Sequence, residues 1–476
     1  MIRWLTPFIL CAVLWTAGFA QQRPDRSHPP ATGPTPQLHL PPIQKRMLSN
    51  GIPVWIVETN EVPLVQVNLV VMAGNSDDPA GSFGLANLTA AMLDEGAGDR
   101  SALQLADSIE FLGASLSTTS TFDASSIRLN VPVARLQDAL PLMADVALRP
   151  TFPEAELKRI REERLTALLQ ARDDASAVAS MAFARVVFGP MHRYGTGATG
   201  TEASLKSFTP QNLRDFHGSM YRSTNARFIV VGDVTAATAL PLLEKNFGAW
   251  RSQANVARAA LPAVQPPESQ VVIIDMPSAA QSQIRIGGIG VARSTPDYFS
   301  ILVLNTILGG SFTSRLNQNL REQHGYSYGV SSRFDMRRSA GPFLTGGGVQ
   351  TDKTSEALRE FFNELNGIAK PVEADELDKA RKYVALGYPS DFETIGDLSA
   401  RLEEQVVYNL PNDYFDRYIP NVLAVTPDAV MKAATTYIQP KKFVVVIAGD
   451  RKVIEPGVRA LNLAPIRFMN VDEVVR

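Results

Sequence analysis

Cysteine is almost absent from this 476-residue chain, since Cys11 is its only one. A disulfide network and a cysteine-ligated zinc site are therefore excluded within one chain. The charges nearly cancel, with 46 Lys and Arg against 48 Asp and Glu, so no overall positive charge favours nucleic acid as a partner. Beyond the N-terminus, no apolar run reaches the length needed to span a bilayer, and we expect no stable membrane insertion.

Several catalytic motifs are also missing. No G-x-G-x-x-G turn, P-loop or G-x-S-x-G elbow occurs in a suitable context, which argues against nucleotide binding and α/β-hydrolase chemistry. Of the five histidines, His28 and His39 lie in a proline-rich region, and His192, His217 and His324 are far apart in sequence. The pair of histidines one helical turn apart that commonly binds zinc is therefore absent.

The N-terminus has the features of a secretory signal peptide. Arg3 precedes an apolar stretch that ends with the small residues Gly18 and Ala20, a pattern that predicts cleavage after Ala20. An uncleaved membrane anchor is the alternative, but the stretch is shorter than the ~20 residues of a spanning helix. We therefore interpret residues 1–20 as a signal peptide and expect a periplasmic or secreted protein.

The remaining sequence is predicted to contain two similar halves. The strand ending Gly232-Asp233 recurs as one ending Gly449-Asp450, and Leu157, in the first turn of a long helical pattern, has its counterpart in Leu377 at nearly the same offset. Such a recurrence indicates an internal duplication. The predicted organisation is a proline-rich disordered arm at 21–44, an N-terminal α/β domain at 45–250, a linker at 251–268 and a C-terminal α/β domain at 269–476.

Local patterns define the first elements of the N-terminal domain. Ser49-Asn50-Gly51 between two apolar runs predicts a hairpin turn, and Leu64–Met72 is typical of a strand. A helix is predicted from Gly84 to Glu95, because Leu85, Leu88 and Met92 recur at helical spacing.

These patterns resemble the pitrilysin-like, or inverzincin, metallopeptidases, and most of all their processing-peptidase-like branch. The resemblance covers about residues 45–460 and implies an α+β fold: two duplicated α/β rolls, each an antiparallel-rich sheet packed with helices, that form a clamshell. The stretches that carry it are Gly113-Ala-Ser-Leu116, Leu148-Arg-Pro-Thr-Phe152, Gly200-Thr-Glu-Ala-Ser-Leu205, Tyr221 to Val234, and Ser314-Arg-Leu316 with Leu320-Arg321.

Active members of this family carry H-x-x-E-H on the helix that begins here near Gly84, and a distant Glu completes the zinc site. The positions that align with these four residues hold Asn87, Ala90, Ala91 and Ala167. Alanine has no donor atom, and the nearest carboxylates to Ala167, Glu162 and Glu163, are at least one turn away. We therefore predict no metal or other cofactor in this chain, and expect the zinc in a partner subunit.

The second half retains another pair of family residues. In the family, an Arg and a Tyr seven residues apart reach over the zinc of the opposite half, and Arg321 and Tyr328 have that spacing. A phenol can stabilise an oxyanion and a guanidinium can hold a peptide carbonyl. Tyr326 is a rival for the tyrosine role. A purely structural role is the alternative, with Arg321 at a helix C-terminus and Tyr328 in packing.

The resemblance also suggests where a peptide would bind. In the family, the segment after Gly113 is an edge strand that captures substrate by strand addition. A solvated strand without a ligand is the alternative. The candidate substrate-binding residues in this segment are Ser115, Ser117, Thr118 and Thr119.

Two functional hypotheses follow. The first is the non-zinc subunit of a heterodimeric peptidase, paired with a zinc-bearing paralogue that hydrolyses unfolded peptides. The second is a catalytically dead structural or peptide-binding protein of the same fold, as in the core subunits of respiratory complexes that resemble this family. Retention of Arg321 and Tyr328 favours the first.

Overall fold

Two six-stranded β-sheets occupy successive parts of the chain. The computed structural model describes residue 33 and residues 38–252, 258 and 260–475. The predicted signal peptide, 1–20, lies outside the described residues. Within the described part, no helix combines the length and the apolar character needed to cross a membrane.

The first half contains the strands β1 (Gln44–Met47), β2 (Pro53–Glu58), β3 (Leu64–Val71), β4 (Gly96–Ala97), β5 (Arg100–Ser101), β6 (Ser115–Ser120), β7 (Ser125–Pro132) and β8 (Ala226–Gly232). Strands β4 and β5 form a separate two-stranded ribbon, and the other six form the first sheet. Its strand order is β1-β2-β8-β3-β7-β6. The predicted hairpin is confirmed, since β1 and β2 pair antiparallel around Gly51. The φ of Gly51 is +87°, a conformation that glycine adopts without steric cost.

The second sheet repeats this arrangement with β9 (Val271–Asp275), β10 (Gln281–Ile289), β11 (Val330–Phe334), β12 (Pro342–Gln350), β13 (Val444–Gly449) and β14 (Ile466–Met469). Its order, read from the other edge, is β14-β9-β13-β10-β12-β11. Neighbouring strands pair in the same direction, parallel or antiparallel, at equivalent places in the two sheets, with one exception. At one edge, β1 is antiparallel to β2, whereas its counterpart β14 is parallel to β9. The predicted α+β fold of two duplicated halves is confirmed.

Helices cover both sheets. In the first half they are α1 (Leu85–Ala91), α2 (Ala102–Phe111), α3 (Leu136–Leu148), α4 (Glu154–Ala171), α5 (Ala175–Phe188), α6 (Glu202–Ser207), α7 (Pro210–Met220) and α8 (Ala236–Phe247). In the second half they are α9 (Tyr298–Asn305), α10 (Arg315–Asn317), α11 (Thr354–Gly367), α12 (Ala374–Gly387), α13 (Ile395–Val407), α14 (Tyr414–Leu423), α15 (Pro427–Tyr437), α16 (Arg451–Ala460) and α17 (Val471–Val475). Turns of π-helix at Thr306–Gly310 and Gln318–Gln323 extend α9 and α10.

The two halves exchange one helix each. Helix α5 of the first half packs on β10 and β13 of the second sheet, and α13 of the second half packs on β3 and β8 of the first. The apolar faces match this placement: Phe183 of α5 is buried in one cluster with Val446, and Leu402 of α13 is buried in another with Ile229. Each sheet is therefore covered on one face by a helix from the other half, and burial of these faces stabilises the pair.

The end of the predicted disordered arm is ordered. Leu38, Leu40 and Ile43 are partly buried against the apolar core of the second half. Trp55 on β2 carries the Lys45 ammonium over its ring at 4.0 Å from the centroid. The prediction of disorder is therefore wrong for residues 38–44, because the apolar side chains near the end of the arm find a surface that the local composition does not reveal.

Candidate functional site

The start of helix α1 is held in place from two sides. Gly84, its first flanking residue, has φ +92°, and a Cβ there would lie 2.3 Å from the Thr199 carbonyl oxygen, so only glycine fits. The Asp78 carboxylate accepts hydrogen bonds from the Gly84 and Ala86 N–H groups at 2.7 and 2.8 Å. The helix is shorter than predicted: it ends at Ala91 instead of continuing to residue 95.

Asp78 makes the stability of this region pH-dependent. Burial raises the pKa of its carboxyl to about 7, although the two N–H groups and the nearby Arg193 act to lower it. The folded chain therefore holds a proton more tightly than the unfolded chain between pH 3.8, the ordinary pKa, and about 7. We expect the free energy of unfolding to fall as pH rises through this range, with at most about 1.4 kcal/mol per pH unit from this group.

Urea unfolding at several pH values from 5 to 8 measures this slope. Asp78→Asn should flatten it, because the amide does not titrate. The variant should also be less stable at every pH, since an NH2 group then faces one of the two N–H donors; the slope is therefore the informative quantity. Equal slopes in the wild type and the variant would show that Asp78 is not the titrating group.

The four predicted zinc-motif positions provide no metal site. Asn87 is half-buried and its Nδ2 donates to the Ser120 carbonyl at 3.4 Å. Ala90 is buried, Ala91 is half-buried, and Ala167 lies exposed on α4. The described residues contain no group of three or more His, Cys, Asp or Glu side chains that could hold a metal ion. The side chains present here do not fit zinc, which needs three or four close N, O or S ligands.

An arginine that sequence reasoning missed lies beside these positions. Arg164, one helical turn before Ala167 on α4, donates through Nη2 to the Asn87 carbonyl at 3.3 Å. Burial lowers the pKa of its guanidinium to about 10, so it remains charged at neutral pH. Its Nη1 is buried without a hydrogen-bond partner in the described part of the chain. A fixed positive charge here acts against a divalent cation in addition to the missing ligands.

Strand β6 lies at the edge of the first sheet, where the resemblance places a peptide-binding strand. Ser115 and Ser117 are exposed, whereas Thr118 and Thr119 are half-buried. The Thr118 hydroxyl donates to Asp94 at 3.4 Å. The edge position leaves one side of β6 without a partner among the described strands, and capture of a peptide there stays a prediction.

Arg321 and Tyr328 lie on either side of the turn that joins α10 to β11 in the second half. The π-helical extension of α10 ends at Gln323, and Gly325 then adopts the left-handed conformation, with φ +64°. The next strand, β11, begins at Val330. In between, the buried Ser327 hydroxyl donates to the Gly348 carbonyl on β12 at 2.6 Å. This anchor fixes the turn, and the Tyr328 side chain is 87% exposed.

The guanidinium of Arg321 lies between two aromatic rings. Its Cζ is 4.2 Å from the ring centroid of Phe312 and 5.2 Å from that of Tyr328. Phe312, which no sequence pattern singled out, is 62% exposed. Cation–π contacts on both sides hold the guanidinium in a defined orientation.

These residues line a cavity of about 610 Å³. Arg285 and Arg333 line it with Arg321 and Tyr328, whereas none of the β6 candidates and none of the zinc-motif positions does. Tyr326 is not a lining residue either: it is partly buried against the core, and its ring stacks on His324 with centroids 4.9 Å apart. Of the two candidate tyrosines, Tyr328 therefore has the exposure and the position beside Arg321.

Two family patterns match the chain. The one described as insulinase, peptidase family M16, matches residues 54–186, and the one described as the peptidase M16 inactive domain matches residues 207–384. Together they cover nearly two thirds of the sequence. The chain belongs to peptidase family M16. Among M16 relatives, it is 23% identical over 327 residues to the uncharacterized zinc protease YmxG of Bacillus subtilis, a match that covers 68% of this chain and 78% of that protein.

Other M16 relatives are equally similar in sequence or close in structure. The chain is 23% identical over 365 residues to the non-peptidase homolog YmxG of Helicobacter pylori, covering 75% of this chain and 82% of that protein. A crystal structure of a peptidase M16 inactive domain from Pseudomonas fluorescens matches with a TM-score of 0.80 and 27% identity, covering 86% of this chain and 98% of that one. The resemblance found in the sequence is thus confirmed.

Proposed function

We propose that this M16 chain is the non-zinc subunit of a heterodimeric zinc metallopeptidase and acts on peptides held by a zinc-bearing paralogue. The observation that supports this most is the combination of Arg321 and Tyr328 on one open cavity with the loss of every zinc-motif residue at Asn87, Ala90 and Ala91. The exposed phenol of Tyr328 and the oriented guanidinium of Arg321 contribute little to core packing, but both groups are suited to contact a substrate.

Each residue has a distinct task in this proposal. The Tyr328 hydroxyl donates a hydrogen bond to the oxyanion that forms when water attacks the peptide carbonyl. The Arg321 guanidinium holds a neighbouring carbonyl of the bound peptide. Residues Ser115 to Thr119 of β6 offer an edge for strand addition. The zinc-bound water and the general base come from the partner subunit.

The location follows from the predicted signal peptide and is part of the proposal. A chain exported after cleavage at Ala20 would work in the periplasm or outside the cell, on unfolded peptides. Its balanced charge gives it no general affinity for nucleic acid.

A second candidate function is a peptide-binding or structural protein without catalysis. Arg164 beside helix α1 is compatible with both candidates, because each leaves this chain without zinc. One relative is named a non-peptidase homolog. In this case Arg321 and Tyr328 would contact a ligand or a partner without promoting hydrolysis.

Co-expression distinguishes the two candidate functions. The partner for this experiment is a paralogue that is encoded beside this gene and carries an intact H-x-x-E-H motif. Size-exclusion chromatography should show a heterodimer, and a fluorogenic peptide assay should show cleavage by the heterodimer above that of the paralogue alone. A paralogue that is fully active by itself and never co-elutes with this chain would overturn the proposal.

Purified alone, the chain is expected to hold no stoichiometric zinc and to cleave no peptide, because no described cluster of ligands exists at the motif positions. Metal analysis by mass spectrometry and the same peptide assay test this. One zinc per chain, removable by a chelator with loss of activity, would contradict it.

A further inference from the structure

The cavity beside Arg321 and Tyr328 is strongly positive. Three arginines line it, and no Asp or Glu is among its described lining residues. We propose that this cavity binds carboxylate groups of the substrate peptide, so that the chain selects acidic segments. This inference rests on the proposed function, which makes peptides the substrates, and adds the chemical class that the site prefers.

The Arg321 guanidinium lines the cavity in a restricted orientation, and its two Nη groups are available to a ligand. The rings of Phe312 and Tyr328 restrict its guanidinium from both sides. Its one ion pair runs from Nε to the half-exposed Glu322 at 3.3 Å. Its two Nη groups have no acceptor among the described residues. A guanidinium that is already oriented loses little entropy when it forms a two-point contact with a carboxylate.

Arg333 supplies a second free guanidinium. It lies exposed on β11, and in the described part of the chain it forms no hydrogen bond and no ion pair. Burial lowers the pKa of the Arg285 guanidinium, and the nearby charge of Arg333 lowers it further. Two like charges on one cavity wall repel each other, and a bound anion would relieve this repulsion.

Arg285 contributes positive charge to the cavity but no free hydrogen-bond donors, because its guanidinium N–H groups already donate to other residues. It donates to the hydroxyl groups of Ser176 and Ser180 at 2.7 and 3.2 Å, to its own neighbour's carbonyl, Ile284, at 2.9 Å and to Gln283 at 3.4 Å. All these acceptors are neutral. Asp174 is the one carboxylate that raises its pKa, and Asp174 is occupied as the N-cap of α5. The positive charge therefore stays uncompensated by direct ion pairing.

The remaining lining suits a peptide side chain in an extended segment. Ser331, Asn317 and the glycines at 329, 346 and 347 are small or polar, so the wall leaves room near the guanidinium groups. A glutamate or aspartate side chain and a C-terminal carboxylate share the same chemistry, and the test must separate these two sources.

Fluorescence anisotropy with labelled, unstructured peptides tests the inference on the purified full chain. One peptide carries a central block of glutamates and an amidated C-terminus. Its matched forms have glutamines or lysines in place of the glutamates, and a fourth has glutamines with a free C-terminal carboxylate. We expect the glutamate peptide to bind best, and added salt to weaken that binding.

Arg333→Gln should weaken binding of the glutamate peptide about tenfold, since one charged hydrogen-bonding partner is lost. Arg321→Gln should do the same. Arg214→Gln, which removes an exposed arginine from α7 in the first half, is the matched control and should bind as the wild type does. Thermal unfolding checks that the variants are folded, and Arg333, being exposed, should tolerate the change.

Equal affinity of the wild type for the glutamate peptide, the amidated glutamine peptide and the glutamine peptide with a free C-terminus would overturn the inference, as would unchanged binding by Arg333→Gln. A preference confined to the free C-terminus would support the cavity as a carboxylate site and assign it to peptide ends. Since the chain is tested alone, failure to form a heterodimer would overturn the proposed function without affecting this result.

Discussion

Tyr328→Phe is expected to lower the turnover of the assembled heterodimer about 100- to 1000-fold, because loss of one oxyanion donor costs about 2.7–4 kcal/mol. The effect should appear in kcat and leave KM nearly unchanged, since the hydroxyl meets a charge that exists only in the transition state. The ring remains, so its contact with the Arg321 guanidinium at 5.2 Å is kept. Steady-state kinetics with a fluorogenic peptide measures both constants.

Tyr326→Phe is the matched control. It removes the same atom two residues away, from a ring that stacks on His324 and does not line the cavity, and it should leave kcat within about twofold of the wild type. Arg321→Ala should instead raise KM as well, because a guanidinium also holds the ground-state peptide. Wild-type turnover by a heterodimer that contains Tyr328→Phe would remove the case for shared catalysis.

Glu403→Ala is expected to cost roughly 3 kcal/mol in the free energy of unfolding, the value typical of breaking a buried ion pair from one side. Glu403 on α13 is almost fully buried and accepts three hydrogen bonds from the Arg128 guanidinium at 3.1–3.3 Å, as well as one from the Ser126 hydroxyl. Arg128 and Ser126 are on β7 of the other half, and Asn68 on β3 donates to the same carboxylate at 3.4 Å. The loss should lie at the lower end of the range, because the Arg128 side chain is 35% exposed and water can reach it.

Urea unfolding of the full chain measures this loss, with Glu393→Ala as the control. Glu393 is exposed near the start of α13, and its removal should change the unfolding free energy by less than about 0.5 kcal/mol. The double variant with Arg128→Ala gives the coupling between the two residues. A loss of under 1 kcal/mol for Glu403→Ala would mean that the contact between the halves contributes little.

The fold was largely predictable because its determinants are local or periodic. The hairpin at Asn50-Gly51 and the strand from Leu64 follow from turn chemistry and apolar patterning, and the recurrence around Gly232 and Gly449 predicted the duplication. The exchange of α5 and α13 was not predictable, because an amphipathic helix does not encode which sheet it covers. The end of α1 at Ala91 was not predictable either, because the helical spacing of apolar residues continues to Met92.

The candidate site was predictable only in part. The spacing of Arg321 and Tyr328 identified the pair, and the missing motif residues are visible in the sequence itself. Neither Arg164 nor Phe312 could be found in this way. Arg164 contacts Asn87, which is distant in sequence, and no motif or periodic pattern marks Phe312 as a neighbour of Arg321. The choice between Tyr326 and Tyr328 required the anchored turn at Ser327, which decides which ring faces outward.

The exchange of α5 and α13 suggests how such a chain could originate. Two copies of a half-length ancestor could each have placed the same helix on the other's sheet, in a symmetric homodimer with one self-complementary interface. Joining the two genes would keep every contact and allow the copies to diverge. Arg128 and Glu403 would then be an asymmetric addition to an interface that once used identical residues on both sides.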